Sequence, residues 1–339
     1  MLLFLHPDST DQTGEAILSA LREAGVEGRP ITGHPRRVIR LRGAPPSLDW
    51  LRGLPGVMHV IPAQRPFHLA LKETPEQKTT IRVADHTIGG AEPTLIAGPC
   101  AVEDGDELMT VAKSLKRSGA HLLRGGAYKP RSSPYDFQGL GRAGLEMLAR
   151  AGRSVGLPVV TEAVDERSLD EVVEFAQVVQ IGARNMQNYA LLKRVGTCGL
   201  PVFLKRGLAA TLEDFLLAAE YLLELGNNDV MLCERGIRTF SDHSRFTLDL
   251  AIVPRLQELS HLPVFVDPSH ASGRRASVAA LARAAIAAGA NGVMIEVHPN
   301  PGHALCDGPQ SLEPEAFDHL AEEIRLLATV RDGQLAEKG

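Results

Sequence analysis

From Thr94 to Val330 the chain repeats one unit eight times, a short run of apolar residues followed by an amphipathic stretch of helical length. The apolar runs are Thr94–Ala97, His121–Arg124, Pro158–Thr161, Val178–Ile181, Val202–Leu204, Val230–Cys233, Val264–Val266 and Gly292–Val297. The amphipathic stretches are Glu107–Ser118, Arg142–Val155, Arg167–Ala176, Tyr189–Val195, Leu212–Leu225, Phe246–Leu259, Arg275–Ala288 and Pro314–Val330. Strand followed by helix, eight times over about 240 residues, predicts an α/β chain closed as a (β/α)8 TIM barrel; an open doubly wound sheet is the alternative.

The 339 residues leave about a hundred outside such a barrel. Residues 1–75 hold nine Lys/Arg and seven Asp/Glu, whereas the remainder holds 27 and 34, so the two pieces are composed differently. In the first piece the strands Leu2–Leu5, Glu27–Thr32, Arg36–Leu41 and Val57–Ile61 alternate with two helices. One places Ile17, Leu18, Leu21 and Ala24 on a single face, and the other runs Leu48–Leu54. The order βαββαβ predicts a ferredoxin-like domain over 1–75, regulatory or oligomerising in role. Residues 76–92 read as a linker with a small hairpin at Ile81–Ile88, and 93–335 as the catalytic barrel.

A hydrophobic content of 44% excludes a disordered chain, and a net charge of −5 argues against nucleic acid as a partner. The apolar run Met1–Leu5 is too short for a signal peptide or a membrane span, so the sequence predicts a cytoplasmic protein without a membrane partner. Four cysteines (Cys100, Cys198, Cys233, Cys306) form no CxxC motif and no disulfide framework.

In a TIM barrel, chemistry sits at the C-terminal ends of the strands. Those ends carry Cys100, Arg124, Glu162, Arg184, Lys205 with Arg206, Glu234 with Arg235, Asp267 with His270, and Glu296 with His298, so every strand is expected to send a functional group to one mouth. Arg124, Lys129, Arg184, Lys205 and Arg235 on one rim would repel one another unless anions neutralise them, which predicts a phosphorylated or carboxylated small substrate. Neither a P-loop nor a dinucleotide fingerprint is present. Cys100, His270, Glu296 and Asp307 follow strands that adjoin on closure. Their mixed thiolate, imidazole and carboxylate set suits Mn, Fe, Co or Zn better than Ca or Mg.

Several strings then become familiar: Gly98-Pro99-Cys100-Ala101-Val102-Glu103, Leu123-Arg124-Gly125-Gly126-Ala127-Tyr128-Lys129-Pro130-Arg131-Ser132-Ser133-Pro134-Tyr135, Ile181-Gly182-Ala183-Arg184-Asn185, Leu204-Lys205-Arg206-Gly207 and Cys233-Glu234-Arg235-Gly236. With Val266-Asp267-Pro268-Ser269-His270, Gly273-Arg274-Arg275, Ile295-Glu296-Val297-His298-Pro299 and Asp307-Gly308-Pro309-Gln310-Ser311-Leu312, the chain resembles the 3-deoxy-D-arabino-heptulosonate 7-phosphate (DAHP) synthases from about Leu95 to Leu312. The short form with an N-terminal ferredoxin-like domain is the branch it looks like.

The resemblance implies condensation of phosphoenolpyruvate with erythrose 4-phosphate and water, releasing phosphate, as the first step of the shikimate pathway. It further implies Cys100, His270, Glu296 and Asp307 as ligands of a divalent metal acting on the aldehyde oxygen. Ala183, Arg184 and Arg235 would hold the phosphoenolpyruvate phosphate, Arg124, Lys129 and Lys205 its carboxylate, and Arg131 and Ser132 the aldose phosphate. Ser132 stands where the family has Thr and keeps the hydroxyl. Lys129 and Glu162 are the candidates for handling water and protons beside the catalytic Cys100 and His270.

A homotetramer and feedback control by an aromatic amino acid are the implied assembly and regulation, although Arg29 and Pro30 on the expected effector-facing strand make no aromatic pocket. Cys233 and Cys306 read as packing residues, and His298 as an orienting group. Three alternatives stand beside this reading. One is the sister synthase that uses arabinose 5-phosphate, 3-deoxy-D-manno-octulosonate 8-phosphate synthase. Another is a Schiff-base aldolase built on Lys129 or Lys205, and the third a non-catalytic metabolite sensor.

Overall fold

A computed structural model describes residues 1–31, 37–61, 66–72, 74–131 and 133–331. The expected strand ends at Thr32 and Arg36, residues 62–65, Glu73, Ser132 and the tail from 332 lie outside the described residues.

The N-terminal part runs β1 (Leu2–Leu5), α1 (Asp11–Glu23), β2 (Glu27–Ile31), β3 (Val38–Arg42), α2 (Leu48–Arg52) and β4 (Val57–Ile61). Its four strands form one antiparallel sheet in the order β2-β3-β1-β4. Side-chain oxygens start both helices: Thr10 accepts from the Thr13 amide and Ser47 from the Trp50 amide. Alternate residues of a strand face opposite sides of a sheet, and here both sides are covered. Leu3, Leu5, Ile39 and Leu41 pack under Ile17, Leu21 and Leu51 of the two helices. Leu2, Phe4 and Val38 point the other way, joining Phe67, Leu69 and the helical layer of the barrel. β1 is therefore apolar at every position, whereas the edge strand β2 is mostly exposed and contains Pro30, which has no N–H to donate.

The segment that leaves this sheet is clamped to the barrel. The Glu220 carboxylate accepts from the amides of His68 (2.9 Å), Leu69 (2.8 Å) and Ala70 (3.1 Å), and Arg40 of β3 pairs with Glu224. A hairpin of β5 (Ile81–Val83) and β6 (His86–Ile88) follows, where the sequence places one.

The barrel is a closed ring of eight parallel strands: β7 (Thr94–Gly98), β8 (Leu122–Arg124), β9 (Val159–Glu162), β10 (Val178–Ile181), β11 (Val202–Lys205), β12 (Val230–Glu234), β13 (Val264–Val266) and β14 (Gly292–Glu296), with β14 pairing β7 from Gly292↔Thr94 to Glu296↔Gly98. Around it run α3 (Gly105–Arg117), α4 (Arg142–Val155), α5 (Glu166–Phe175), α6 (Tyr189–Gly196), α7 (Leu212–Glu224), α8 (Ile252–Leu259), α9 (Pro268–Ser272), α10 (Arg275–Ala287) and α11 (Pro314–Arg331). Phe203, Met231, Phe265 and Met294 fill the interior, and Ile81, Val83 and Ile88 of the hairpin plug the end where the strands begin. Gly98 admits no substitute, because a Cβ there would lie 1.9 Å from the Arg124 carbonyl oxygen. Only glycine lets the ends of β7 and β8 approach so closely.

Two elements differ from the sequence reading. The helix expected from Phe246 begins at Ile252, since Ile237 bridges Thr247 across an ordered loop and Phe246 turns inward beneath Arg235. α9 was not anticipated. Its signal was present in Asp267-Pro268, a capping aspartate with proline at the first helical position.

Candidate active site

The strand ends converge on a cavity of about 200 Å³, lined among others by Arg124, Lys129, Arg131, Glu162, Ala183, Arg184, Lys205, Arg235, His270 and Asp307. Each expected site residue lines this cavity except Cys100 and Glu296, which lie immediately behind it, and Ser132, which is outside the described residues.

Ligand atoms of Cys100, His270, Glu296 and Asp307 all lie within 4.8 Å of one another. Each comes from a different segment: the turn after β7, helix α9, the end of β14 and the loop that follows it. Asp307 holds a left-handed backbone conformation (φ 54°, ψ 30°), an unusual one for a residue with a side chain. His270 Nδ1 lies 2.7 Å from Asp267 Oδ2, and its Nε2 lies 3.1 Å from Glu296 Oε1 and 3.6 Å from Asp307 Oδ2. Burial lowers the pKa of His270 against the pull of Asp267 and Glu296, which favours a neutral ring whose Nδ1–H goes to Asp267. The Nε2 lone pair then faces two carboxylates, a set of acceptors that a cation completes and a proton alone does not. Burial would raise the carboxyl of Asp307, yet the positive charges of Arg245 and Lys129 hold it down. The donor chemistry fits a divalent transition metal.

The cations around this cluster are fixed by secondary partners. Arg124 donates to Glu296 Oε1 at 2.6 Å and to the Cys100 carbonyl at 3.3 Å. Lys205 pairs with Asp267, so one carboxylate holds both a rim cation and the histidine. Lys129 Nζ reaches Cys100 Sγ at 3.1 Å, and Arg131 is held by Asp136 at 3.0 Å. Arg235 stacks its guanidinium 4.5 Å over the Phe246 ring. Even so, the Nε of Arg124 and the Nη1 of Arg235 are buried without any hydrogen-bond partner. Buried guanidinium donors left open beside a cavity call for an anion.

Every strand sends a group to the mouth, as expected, but not every polar residue at a strand end belongs to it. Arg206 turns away to pair with Glu234 and Asp249, each at 2.9 Å, and neither it nor Glu234 lines the cavity. Adjacent residues at a strand end face opposite ways, so of Lys205-Arg206 and Glu234-Arg235 one member each is structural. His298 accepts from the Asn300 amide at 3.0 Å and lies 3.8 Å from Glu103. Cys233 is interior packing.

Cys306 is not only a packing residue: it lines the cavity, 3.3 Å from Cys100 Sγ and 2.7 Å from Arg131 Nη1. Arg245 was also missed; its Nη1 reaches Asp307 Oδ1 and Gln310 Oε1, both at 3.1 Å. Gln180 holds Glu162 Oε2 at 3.0 Å. The one sequence signal for Cys306 was its place beside Asp307; Arg245 lies in a loop whose composition gives none.

Residues 71–329 match the DAHP synthetase I family. The phospho-2-dehydro-3-deoxyheptonate aldolase of Thermotoga maritima is 46% identical over 330 residues, 97% of this chain and 98% of its own. Its crystal structure superposes with a TM-score of 0.78 over 97% of both chains. A truncated form of 3-deoxy-D-arabino-heptulosonate 7-phosphate synthase from the same organism covers 78% of this chain and 97% of its own, with a TM-score of 0.73 and 48% identity. The 2-dehydro-3-deoxyphosphooctonate aldolase of Syntrophobacter fumaroxidans is more distant, 32% identical over 71% of this chain and 89% of its own. With a family match over most of its length and a relative of this identity, the chain belongs to the DAHP synthetase I family.

Proposed function

We propose that the mouth cavity holds phosphoenolpyruvate and erythrose 4-phosphate side by side, next to a divalent cation carried by Cys100, His270, Glu296 and Asp307. The reaction is that of a DAHP synthase. C3 of phosphoenolpyruvate attacks the aldehyde carbon, water adds at C2, and phosphate leaves by C–O cleavage, in the first step of the shikimate pathway. The observation that carries the assignment of substrates to this cavity is the pair of open guanidinium donors on Arg124 and Arg235 beside a four-donor cluster.

When bound, the cation supplies Lewis acidity at the aldehyde oxygen. Mn, Fe, Co and Zn all suit the donor set. Arg184 and Arg235, with the backbone at Ala183, take the phosphate of phosphoenolpyruvate. Arg124, Lys129 and Lys205 take its carboxylate. Arg131 takes the aldose phosphate together with Ser132. Two anionic substrates repel, and fixed cations between them supply the orientation that lowers this cost. Lys129, whose Nζ lies 3.1 Å from Cys100 Sγ, is the ammonium that donates a proton to the developing alkoxide. Glu162 orients the attacking water, its own carboxylate steadied by Gln180.

Residues 1–75 form a ferredoxin-like regulatory domain in this reading, 76–92 the linker and 93–335 the catalytic barrel. Support comes from the βαββαβ element order and the β2-β3-β1-β4 sheet. An aromatic amino acid is the effector, a homotetramer the assembly, and the cytoplasm the location. Among the described residues no helix is long and apolar enough to cross a membrane.

Parallel rate assays with erythrose 4-phosphate and arabinose 5-phosphate test the substrate, and faster turnover of the pentose would overturn it. Deletion of 1–61, which keeps the Glu220 clamp on His68–Ala70, should abolish inhibition by Tyr, Phe or Trp. Inhibition retained in that variant would remove the regulatory role.

A further inference from the structure

Cys306 has no part in the four-donor cluster, yet its sulfur lies 3.3 Å from the sulfur of Cys100. Each of the two sulfurs has a cation aimed at it. Lys129 Nζ is 3.1 Å from Cys100 Sγ, and Arg131 Nη1 is 2.7 Å from Cys306 Sγ. Two thiols in an otherwise apolar contact would need no such partners; two thiolates on one metal would, because the second negative sulfur adds charge to a site already carrying Glu296 and Asp307. Cys306 also directly precedes the ligand Asp307, whose left-handed backbone turns the two adjacent side chains toward the same cavity wall.

We infer that Cys306 is a second sulfur donor of the metal centre, its sulfur standing beside that of Cys100. The inference rests on the reading of Cys100, His270, Glu296 and Asp307 as the metal ligands. Coordination exchanges the Cys306 thiol proton, released to solvent, for a sulfur–metal bond, and no electron changes hands. A second thiolate biases the centre toward thiophilic cations such as Cd²⁺, Zn²⁺ and Co²⁺ and away from Mn²⁺, since sulfur ligands favour softer metals. It also couples the centre to Arg131, because a guanidinium engaged with a substrate phosphate withdraws its donor from the sulfur.

The test uses full-length protein, metal-stripped and kept reduced, titrated with Co²⁺ while the near-ultraviolet sulfur-to-cobalt absorption is recorded per bound cobalt. Cys306→Ser should bind one cobalt with about half the wild-type intensity, and Cys306→Ala should behave the same way, which separates loss of the sulfur from a folding defect. In Cd²⁺/Mn²⁺ competition the preference for Cd²⁺ should fall by about tenfold or more in both variants. Unchanged absorption per cobalt in the two variants would overturn the role of Cys306 while leaving the four-donor site intact. Failure of the wild type itself to bind cobalt stoichiometrically would overturn the underlying metal site instead.

Discussion

The two ends of the barrel are built from the same strands by opposite means. Where the strands begin, Phe203, Met231, Phe265 and Met294 stack into an apolar interior closed by Ile81, Val83 and Ile88. Where they end, the same strands bury Arg124, Lys205, Asp267 and Glu296, charges whose burial is costly unless they are paired. One end contributes stability by burial and the other spends it on orientation. Lys205 and Arg124 are both paired, but Arg124 keeps a buried nitrogen with no partner. Beside the mouth cavity, such a donor fits an anion site.

The sharpest way to separate the ends is to change one residue in each. Arg124→Met should lower kcat/KM by about 10²–10³-fold, the usual cost of removing a preorganised electrostatic donor, with the main rise in KM for phosphoenolpyruvate. Its urea midpoint should fall as well, because Glu296 loses its buried partner, but activity per folded molecule should fall far more. A variant that lost its fold along with its activity would show that Arg124 is chiefly structural. Phe265→Ala at the opposite end should reverse the pattern, destabilising by about 3–5 kcal/mol through the cavity it leaves, while turnover per folded molecule stays near wild type. Equilibrium unfolding and active-site titration together distinguish the two results.

This polarity also explains what was legible in the sequence. The interior runs such as Val202–Leu204 and Val264–Val266 are continuous and apolar because both faces are covered, and they are readable as strands without any partner in view. The four-donor cluster was readable from residue types and the closure of β14 on β7. What could not be read was direction. Lys205 and Arg206 are adjacent cations, yet one faces the cavity and the other a buried pair with Glu234, a choice made by strand pleat and by Asp249 from a distant loop. Cys306 was misread for a related reason. A cysteine between Leu305 and Asp307 has the composition of a packing residue, and only the fold brings Arg131 and Cys100 to its sulfur. Arg245 reaches Asp307 across 62 residues of chain, a contact no local pattern announces.

The beginning of the barrel holds one further contrast, in its response to acid. His121, just before β8, stacks on His86 of the hairpin with ring centroids 4.1 Å apart and accepts the Leu95 amide at Nδ1. Burial, with the nearby charges of His86, Arg325 and Lys116, lowers its pKa to about 4. The unfolded chain therefore takes up this proton near its ordinary value of about 6.5 while the folded one does not, so stability is full above that value and falls as the pH drops toward 4. For a partly exposed ring the loss at pH 5 amounts to about 1 kcal/mol. Urea midpoints measured at pH 7 and pH 5 should show that difference in the wild type and less of it in His121→Gln, whose amide can still accept from Leu95. If the variant kept the full acid sensitivity, the effect would belong to other groups, the carboxylates of the mouth among them, and the division between a stabilising end and a reactive end would fail for protons.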